Sequence, residues 1–221
     1  VIETVNGLKA NQLVSKIYLL ATEDFNDVIE GCEVVKIDSL QSSATVKKIA
    51  ELSDAAYSLI YTKYTTLELG YFALERMVNL AEDSSASMLY ADHYQITDGV
   101  KKASPVIDYQ FGSLRDDFNF GSVLFYNAEA LKCGASRMKQ NYQFAGLYDL
   151  RLKVAQKGEL CHINEYLYTE IEHDNRKSGA KIFDYVDPKN RGVQIEMEQA
   201  CTEHLKEIGG YLEPKFEHIE F

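Results

Sequence analysis

The chain has no tryptophan, and no stretch of it approaches the roughly 18 to 20 apolar residues of a membrane span. Its opening residues, VIETVNGLKANQ, lack the basic and apolar regions of a signal peptide. The four cysteines, Cys32, Cys133, Cys161 and Cys201, stand far apart with no CxxC, so they read as reduced thiols and the expected location is cytoplasmic. Basic charge is also scarce. Lys+Arg 23 against Asp+Glu 34 leaves −11, which argues against nucleic acid or an anionic membrane as the main partner. A small phosphate ligand needs only a local positive site and stays open. GxGxxG, P-loop and GxSxG motifs are absent, and the five histidines lack metal-ligand spacing. What is present is a chain of 221 residues, 46% hydrophobic and 26% charged, long enough for one large domain with a sizeable core. Fifteen tyrosines supply polar-tipped aromatics, which suit a carbohydrate-facing surface among others.

Apolar runs at Ser15–Thr22, Cys32–Ser39, Tyr57–Thr62 and Ala86–Tyr94 predict buried strands. Between them, Ser42 and Ser43 are suited to capping a helix that carries Val46, Ile49 and Ala50. Thr65 and Glu68 have the spacing of a capping box, predicting a helix over about 66–82. Alternating strand and helix implies parallel strands with helical crossovers, an α/β layer fold. Turn signals follow at Asp98-Gly99, Ser104-Pro105 and Gly112, then a strand over 121–126 and helices over about 128–140 and 144–157. The run ELCHINEYLYTEIE reads as a strand pair or one bent strand, and HDNRKSGAK as a polar loop. Asp187 and Pro188 open a last helix with Val193, Met197, Ala200, Cys201, Leu205 and Ile208 on its buried stripe. The division expected is a domain over 1–180 and a helical extension over 181–221.

The run YSLIYTKYTTLELGYFALERMVNLAEDSSASMLYADHY resembles the centre of a family 2 glycosyltransferase domain, with Leu74-Glu75-Arg76-Met77 and Tyr90-Ala91-Asp92 in its frame. AGLYDLRLKVAQKGELCHINEYLYTEIEHD is similar to that family's later helix and strand, through Leu150, Leu152, Gly158, Ile163, Glu165 and Leu167-Tyr168. The resemblance covers about 15–173. It implies a GT-A (Rossmann-like) mixed sheet flanked by helices. It also implies a nucleotide-diphospho-sugar donor, a glycan or lipid-linked acceptor, and transfer that inverts the anomeric centre. In the family an acidic DxD holds Mg²⁺ or Mn²⁺ against the diphosphate, hard cations suited to oxygen ligands. Here that slot reads Thr62-Lys63-Tyr64, so the DxD ligands are missing. The family's base position falls near Gly146-Leu147, and of its acidic motif only Asp149 remains.

Candidate residues follow, each beside a plainer reading. Lys63, with Thr62 and Tyr64, is placed to hold a diphosphate as a point charge in the metal's stead; otherwise it is a solvated lysine. Thr22, Glu23 and Asp38, near the ends of the first two strands, are the nucleotide-binding candidates. Asp92 and His93 close a strand; Asp92 is a catalytic candidate and His93 an acceptor-binding one, against a turn-capping role. Asp116 (acceptor) and Asp117 (catalytic) sit in a Gly-flanked aromatic loop, against a salt bridge with Arg115 or Arg151. Asp149 is the third catalytic candidate, against an i,i+4 pair with Lys153 worth about a few tenths of a kcal/mol. His173 and Arg176 stand where relatives place basic residues near phosphates, against a solvated loop. A competing reading from another class is a GT-A domain that has lost catalysis and serves as a binding or assembly module in glycan synthesis.

Overall fold

Continuous apolar runs such as Met88–Ala91 and Val123–Tyr126 send buried side chains to both faces of the sheet, and different helices cover the two faces. The computed structural model describes residues 1–21, 25, 28–172 and 191–215. In chain order the elements are α1 (Ile2–Lys9), β1 (Tyr18–Ala21), β2 (Glu33–Lys36), α2 (Ser43–Leu52), β3 (Tyr57–Tyr61), β4 (Thr66–Leu69), α3 (Ala73–Ser84), β5 (Met88–Thr97), β6 (Val100–Ser104), β7 (Val123–Asn127), α4 (Ala128–Ser136), α5 (Gly146–Ala155), β8 (Leu160–Ile171) and α6 (Arg191–Glu207). The main sheet has the order β3-β7-β5-β8-β4, with β6 hydrogen-bonded to β5; β1 and β2 pair with each other in parallel. The α/β class is as expected. The sheet is mixed: β5 and β8 run parallel, whereas β3 and β5 both run antiparallel to the β7 between them. Lys63 therefore follows a strand whose hydrogen-bonded neighbour is antiparallel, although β3, β5 and β8 all point the same way.

One face carries Ile60, Met88, Tyr90, Leu124 and Tyr126 against α2, α4 and α5. The other carries Leu67, Leu89, Ala91, Phe125, Ile163 and Tyr168 against Ala73, Met77 and Ala81 of α3. Each large apolar side chain so buried stabilises the fold by about 1.5–3 kcal/mol. The predicted Ser42 cap is present: its hydroxyl accepts from the Thr45 N–H. The predicted capping box at Thr65 and Glu68 is not. Thr66–Leu69 pairs with β8 instead, because an open sheet edge gains more from backbone pairing than a local cap supplies. The helix starts at Ala73, after Phe72 in the left-handed region at φ 55°. Asp98 and Gly99, both at positive φ, make the tight β5–β6 turn, so β5 runs on to Thr97 and places Asp92 and His93 mid-strand instead of at its end. The Leu160–Ile171 run is one strand, with register shifts opposite Ala91–His93.

α5 buries every residue except Leu147: α6 closes the side that Asp149 and Lys153 face, and the loop after β6 covers Arg151. Glu196 of α6 accepts N–H bonds from Gln143, Phe144 and Ala145 at 3.1, 2.6 and 3.2 Å and so caps the approach to α5. The predicted Asp187-Pro188 helix start lies outside the described residues. No helix among the described residues is long and apolar enough to cross a membrane.

Candidate functional site

β3 ends at Tyr61, and Thr62 continues its pairing by donating its N–H to the Ser122 carbonyl at 2.9 Å. The turn that follows carries Lys63 across the sheet to the end of β8, where its ammonium meets Glu170 Oε2 at 2.6 Å. The lysine is 45% exposed and the glutamate 6%, so the pair is a solvent-facing cation on a buried anion. His93 Nε2 lies 3.4 Å from Glu170 Oε1, Gln95 donates to Glu170 Oε2 at 3.3 Å, and the His93 ring stacks on Tyr168 at 4.9 Å. Tyr168 in turn accepts the Ser122 N–H at 2.9 Å. Gly121 sits beside them at φ 73°, where a Cβ would meet the Tyr168 hydroxyl at 2.4 Å. Burial pushes the Glu170 carboxyl up, but the Lys63 hydrogen bond and the nearby positive charges outweigh it and hold the group below the usual glutamate range. His93 is held below the ordinary histidine range, chiefly by burial and further by Lys63, against the pull of Glu170. Burial pushes the neighbouring Tyr61 phenol up to about 12. The result is an ionised carboxylate beside a neutral imidazole whose Nδ1 is buried without a hydrogen-bond partner.

The opposite face of the same two strands holds a second polar group. Asp92 Oδ1 lies 2.9 Å from His162 Nε2 and accepts the Val106 N–H at 2.8 Å. His162 Nδ1 lies 2.7 Å from Asp108 Oδ1, so both ring nitrogens face carboxylates; Asp92 is buried and Asp108 exposed. The Tyr90 hydroxyl donates to the Ile107 carbonyl and accepts the Tyr109 N–H. These bonds tie residues 106–109 down over β5 and β8. Phe118 and Phe120 pack edge-on against Tyr90, and the Arg151 guanidinium holds the Ser113 and Arg115 carbonyls from the α5 side. The loop that follows β6 thus fills the space between sheet and α5.

The structure therefore brings Lys63 and His93 together and separates the other candidates. Tyr64 points into solvent at 97% exposed, and the Thr62 hydroxyl is bonded to the Ser122 carbonyl. Asp117 forms the bidentate surface pair with Arg115 expected as its plainer reading, and Asp116 accepts the Asp117 N–H. Asp38 accepts from the Ser39 N–H and the Ser42 and Thr45 hydroxyls, which hold its carboxyl low and assign it to the α2 cap. Asp149 is enclosed between α5 and α6. Neither oxygen has a hydrogen bond; Lys153 lies 3.6 Å away, shared with Glu207 at 2.7 Å. The plainer i,i+4 pair is present but fully buried, a different energetic case from a solvated one. Burial pushes Asp149 up to about 6. Gly146 explains the missing base acid: a Cβ there would lie 2.5 Å from the Ser42 and Ser43 backbone, so no side chain fits. Thr22, Glu23, His173 and Arg176 lie outside the described residues.

An ammonium has no lone pair for a cation and repels it, the Thr62 hydroxyl is bonded to the Ser122 carbonyl, and the described residues contain no group of three or more His, Cys, Asp or Glu that could hold a divalent ion. The residues at the slot therefore do not fit Mg²⁺ or Mn²⁺. Two residues central to these polar groups escaped the sequence reading. Glu170 looked like one more polar position in an alternating strand, and its meaning appears only when β3 and β8 are brought to the same edge. His162 was weighed only for metal spacing, whereas its partners are two carboxylates 70 and 54 residues away.

No family model matches the chain, and no curated protein sequence does. Among solved structures it is similar to the crystal structure of HddC from Yersinia pseudotuberculosis, with a TM-score of 0.47 and 10% identity over 91% of this chain and 84% of that one. A likeness that distant says nothing about activity.

Proposed function

We propose that this chain is a GT-A-like glycosyltransferase domain. It takes a nucleotide-diphospho-sugar and passes the sugar, with inversion, to a hydroxyl of a glycan or lipid-linked acceptor. The observation that carries the reading is Lys63. A half-exposed ammonium stands where the resembling family holds a metal, on the edge towards which β3, β5 and β8 all point. A diphosphate leaving group gains negative charge as its bond to the anomeric carbon breaks, and one fixed ammonium stabilises part of that charge. Glu170 fixes the lysine, and Gln95, which donates to Glu170 and lies 3.4 Å from His93 Nε2, stands beside it. Exposed tyrosines such as Tyr64 and Tyr71 suit a sugar-handling surface. The test is release of UDP or GDP from a panel of UDP- and GDP-sugars in the presence of a chelator. Turnover that disappears in Lys63→Ala supports the reading, and no turnover with any donor or acceptor counts against it.

A second reading is favoured by a specific observation. Asp92, Asp117 and Asp149 are each held in a separate pair, and the loop after β6 fills the space above Tyr90. On that reading the domain keeps the fold and works as a binding or assembly module in glycan synthesis. Nucleotide binding without turnover is its expected signature.

A further inference from the structure

The Lys63 ammonium is already occupied. Glu170 Oε2 sits 2.6 Å from Nζ, takes one of its three N–H donors and neutralises its charge, so a phosphate drawing on the same ammonium competes with it. This anion is not a surface partner that swings aside. It projects from β8 with its backbone paired to β5 and β4, and its side chain is 6% exposed. We infer that Glu170 is a resident counter-ion that holds Lys63 until a polyphosphate anion displaces it, and that the exchange takes up a proton at the Glu170–His93 pair. The inference rests on the donor-binding reading above and adds its regulation.

The proton follows from what remains when the lysine turns to a ligand. The groups facing the Glu170–His93 pair are Lys63 from the β3–β4 turn, Gln95 from β5, Tyr61 from β3, Tyr168 on β8 and the Ser122 hydroxyl ahead of β7, with the Asp92 carboxylate acting on His93 through β5. Of these, only Lys63 carries a fixed positive charge. Tyr61 and Tyr168 are neutral phenols in this range, and Gln95 is uncharged. Once Lys63 is drawn to a ligand, the Gln95 amide and the Ser122 hydroxyl are the neutral donors left to the carboxylate, and burial then favours its protonated form. His93, 3.4 Å away, is the alternative holder of the same proton. Either way one proton enters from solvent with the anion. Linkage then gives the sign: a ligand whose binding takes up a proton binds more tightly as pH falls.

The arrangement also accounts for a cation and a buried anion sharing a site meant for anions. An uncompensated Lys63 would attract any phosphate or carboxylate in the cell. With Glu170 in place, only a ligand bringing more than one negative charge has an electrostatic advantage over the resident group. Inorganic pyrophosphate is therefore the appropriate probe, because it presents a multiply charged diphosphate group without base or sugar.

The experiment is calorimetric titration of pyrophosphate, and separately of UDP and GDP, into the full chain. Wild type, Glu170→Gln and Glu170→Gln/Lys63→Ala are compared at pH 7 in two buffers of different ionisation enthalpy. The expected result is at least about tenfold tighter pyrophosphate binding in Glu170→Gln than in wild type, abolished in the double variant. Wild type should take up about one proton more per anion than Glu170→Gln, a difference in which the ionisation of pyrophosphate itself cancels. From pH 8 down to 6 wild-type binding should tighten more than Glu170→Gln binding does. The inference is overturned if Glu170→Gln binds no tighter than wild type, if wild type takes up no more protons than Glu170→Gln, or if the double variant still binds. Pyrophosphate behaving as expected while UDP and GDP fail to bind would keep the counter-ion and defeat the donor reading. Lys63-dependent UDP or GDP binding that Glu170→Gln leaves unchanged would do the reverse.

Discussion

Asp92 and His93 are neighbours on β5 whose side chains leave the sheet on opposite faces, and each is met by a residue of β8. Asp92 meets His162 at 2.9 Å on the α5 side, and His93 faces Glu170 at 3.4 Å on the α3 side. One dipeptide thus anchors two polar groups, one tying down the loop after β6 and the other reaching Lys63. Predictions about the two groups can be separated because the sheet lies between them.

Removing the lysine should cost stability as well as ligand binding. Lys63→Ala leaves a buried carboxylate without its cation. Losing a partner of a fully buried pair costs about 3–5 kcal/mol, and the exposure of Lys63 reduces this to about 1–3 kcal/mol. Urea unfolding at pH 7 measures it. In wild type the Glu170 carboxyl is held low, so its contribution is present above the unfolded carboxyl range and is lost as pH falls through the folded value. The gap between variant and wild type should therefore narrow on acidification.

Asp149 should behave in the opposite way. Its folded value, raised to about 6 by burial, lies above the ordinary 3.8, so the unfolded chain gives up this proton more readily. The penalty is absent below about pH 4 and grows as pH rises through that window to about 3 kcal/mol at most. Asp149→Asn is expected to stabilise the protein at pH 7 to 8 by about 1–3 kcal/mol and to do nothing at pH 3.5. Lys153 keeps Glu207, whose carboxyl is held down to about 2 against burial by the Lys153 hydrogen bond, as its counter-ion. Thermal unfolding at the two pH values decides; lower stability at pH 8 would contradict the assignment.

His162 and Asp108 should differ sharply although they touch. His162→Ala leaves the buried Asp92 with the Val106 N–H as its remaining partner, a loss of about 1–3 kcal/mol. Asp108 is 88% exposed, and Asp108→Asn should cost below about 1 kcal/mol. Hydrogen exchange at the Val106 and Tyr109 amides should quicken in the first variant and stay near wild type in the second.

Glu196 should control the seating of α6. Its carboxylate satisfies three backbone N–H groups ahead of α5, and Glu196→Ala is expected to cost about 1–2 kcal/mol. Faster amide exchange along α6, with β5 and β8 unchanged, is the expected pattern.

The strands and most helices were legible because their information is local: the Ser42 cap, the Asp98-Gly99 turn and the alternation through Tyr57–Tyr61 each declare themselves within a few residues. Thr65 and Glu68 misled because a cap signal was weighed without the unpaired edge of β8, which lies a hundred residues away. The short helix α1, whose Thr4 hydroxyl accepts the Leu67 N–H, went unread for the same reason. At the site, Lys63 and His93 were legible from their place beside strand patterns. Glu170 and His162 were not, because an acid or a histidine in an alternating strand is chemically informative only once its cross-strand partner is known. Asp149 was visible but misjudged. Its helical spacing to Lys153 was right, while the burial that changes its chemistry comes from α6, beyond any local pattern.

The most direct measurement is calorimetric titration of UDP and GDP, with and without Mn²⁺, into wild type and Lys63→Ala. Binding of one nucleotide by wild type without metal, lost in Lys63→Ala, is the expected result, with the lysine standing in for the cation. Binding that requires Mn²⁺ and is untouched by Lys63→Ala, or no binding of either nucleotide under any condition, would contradict it.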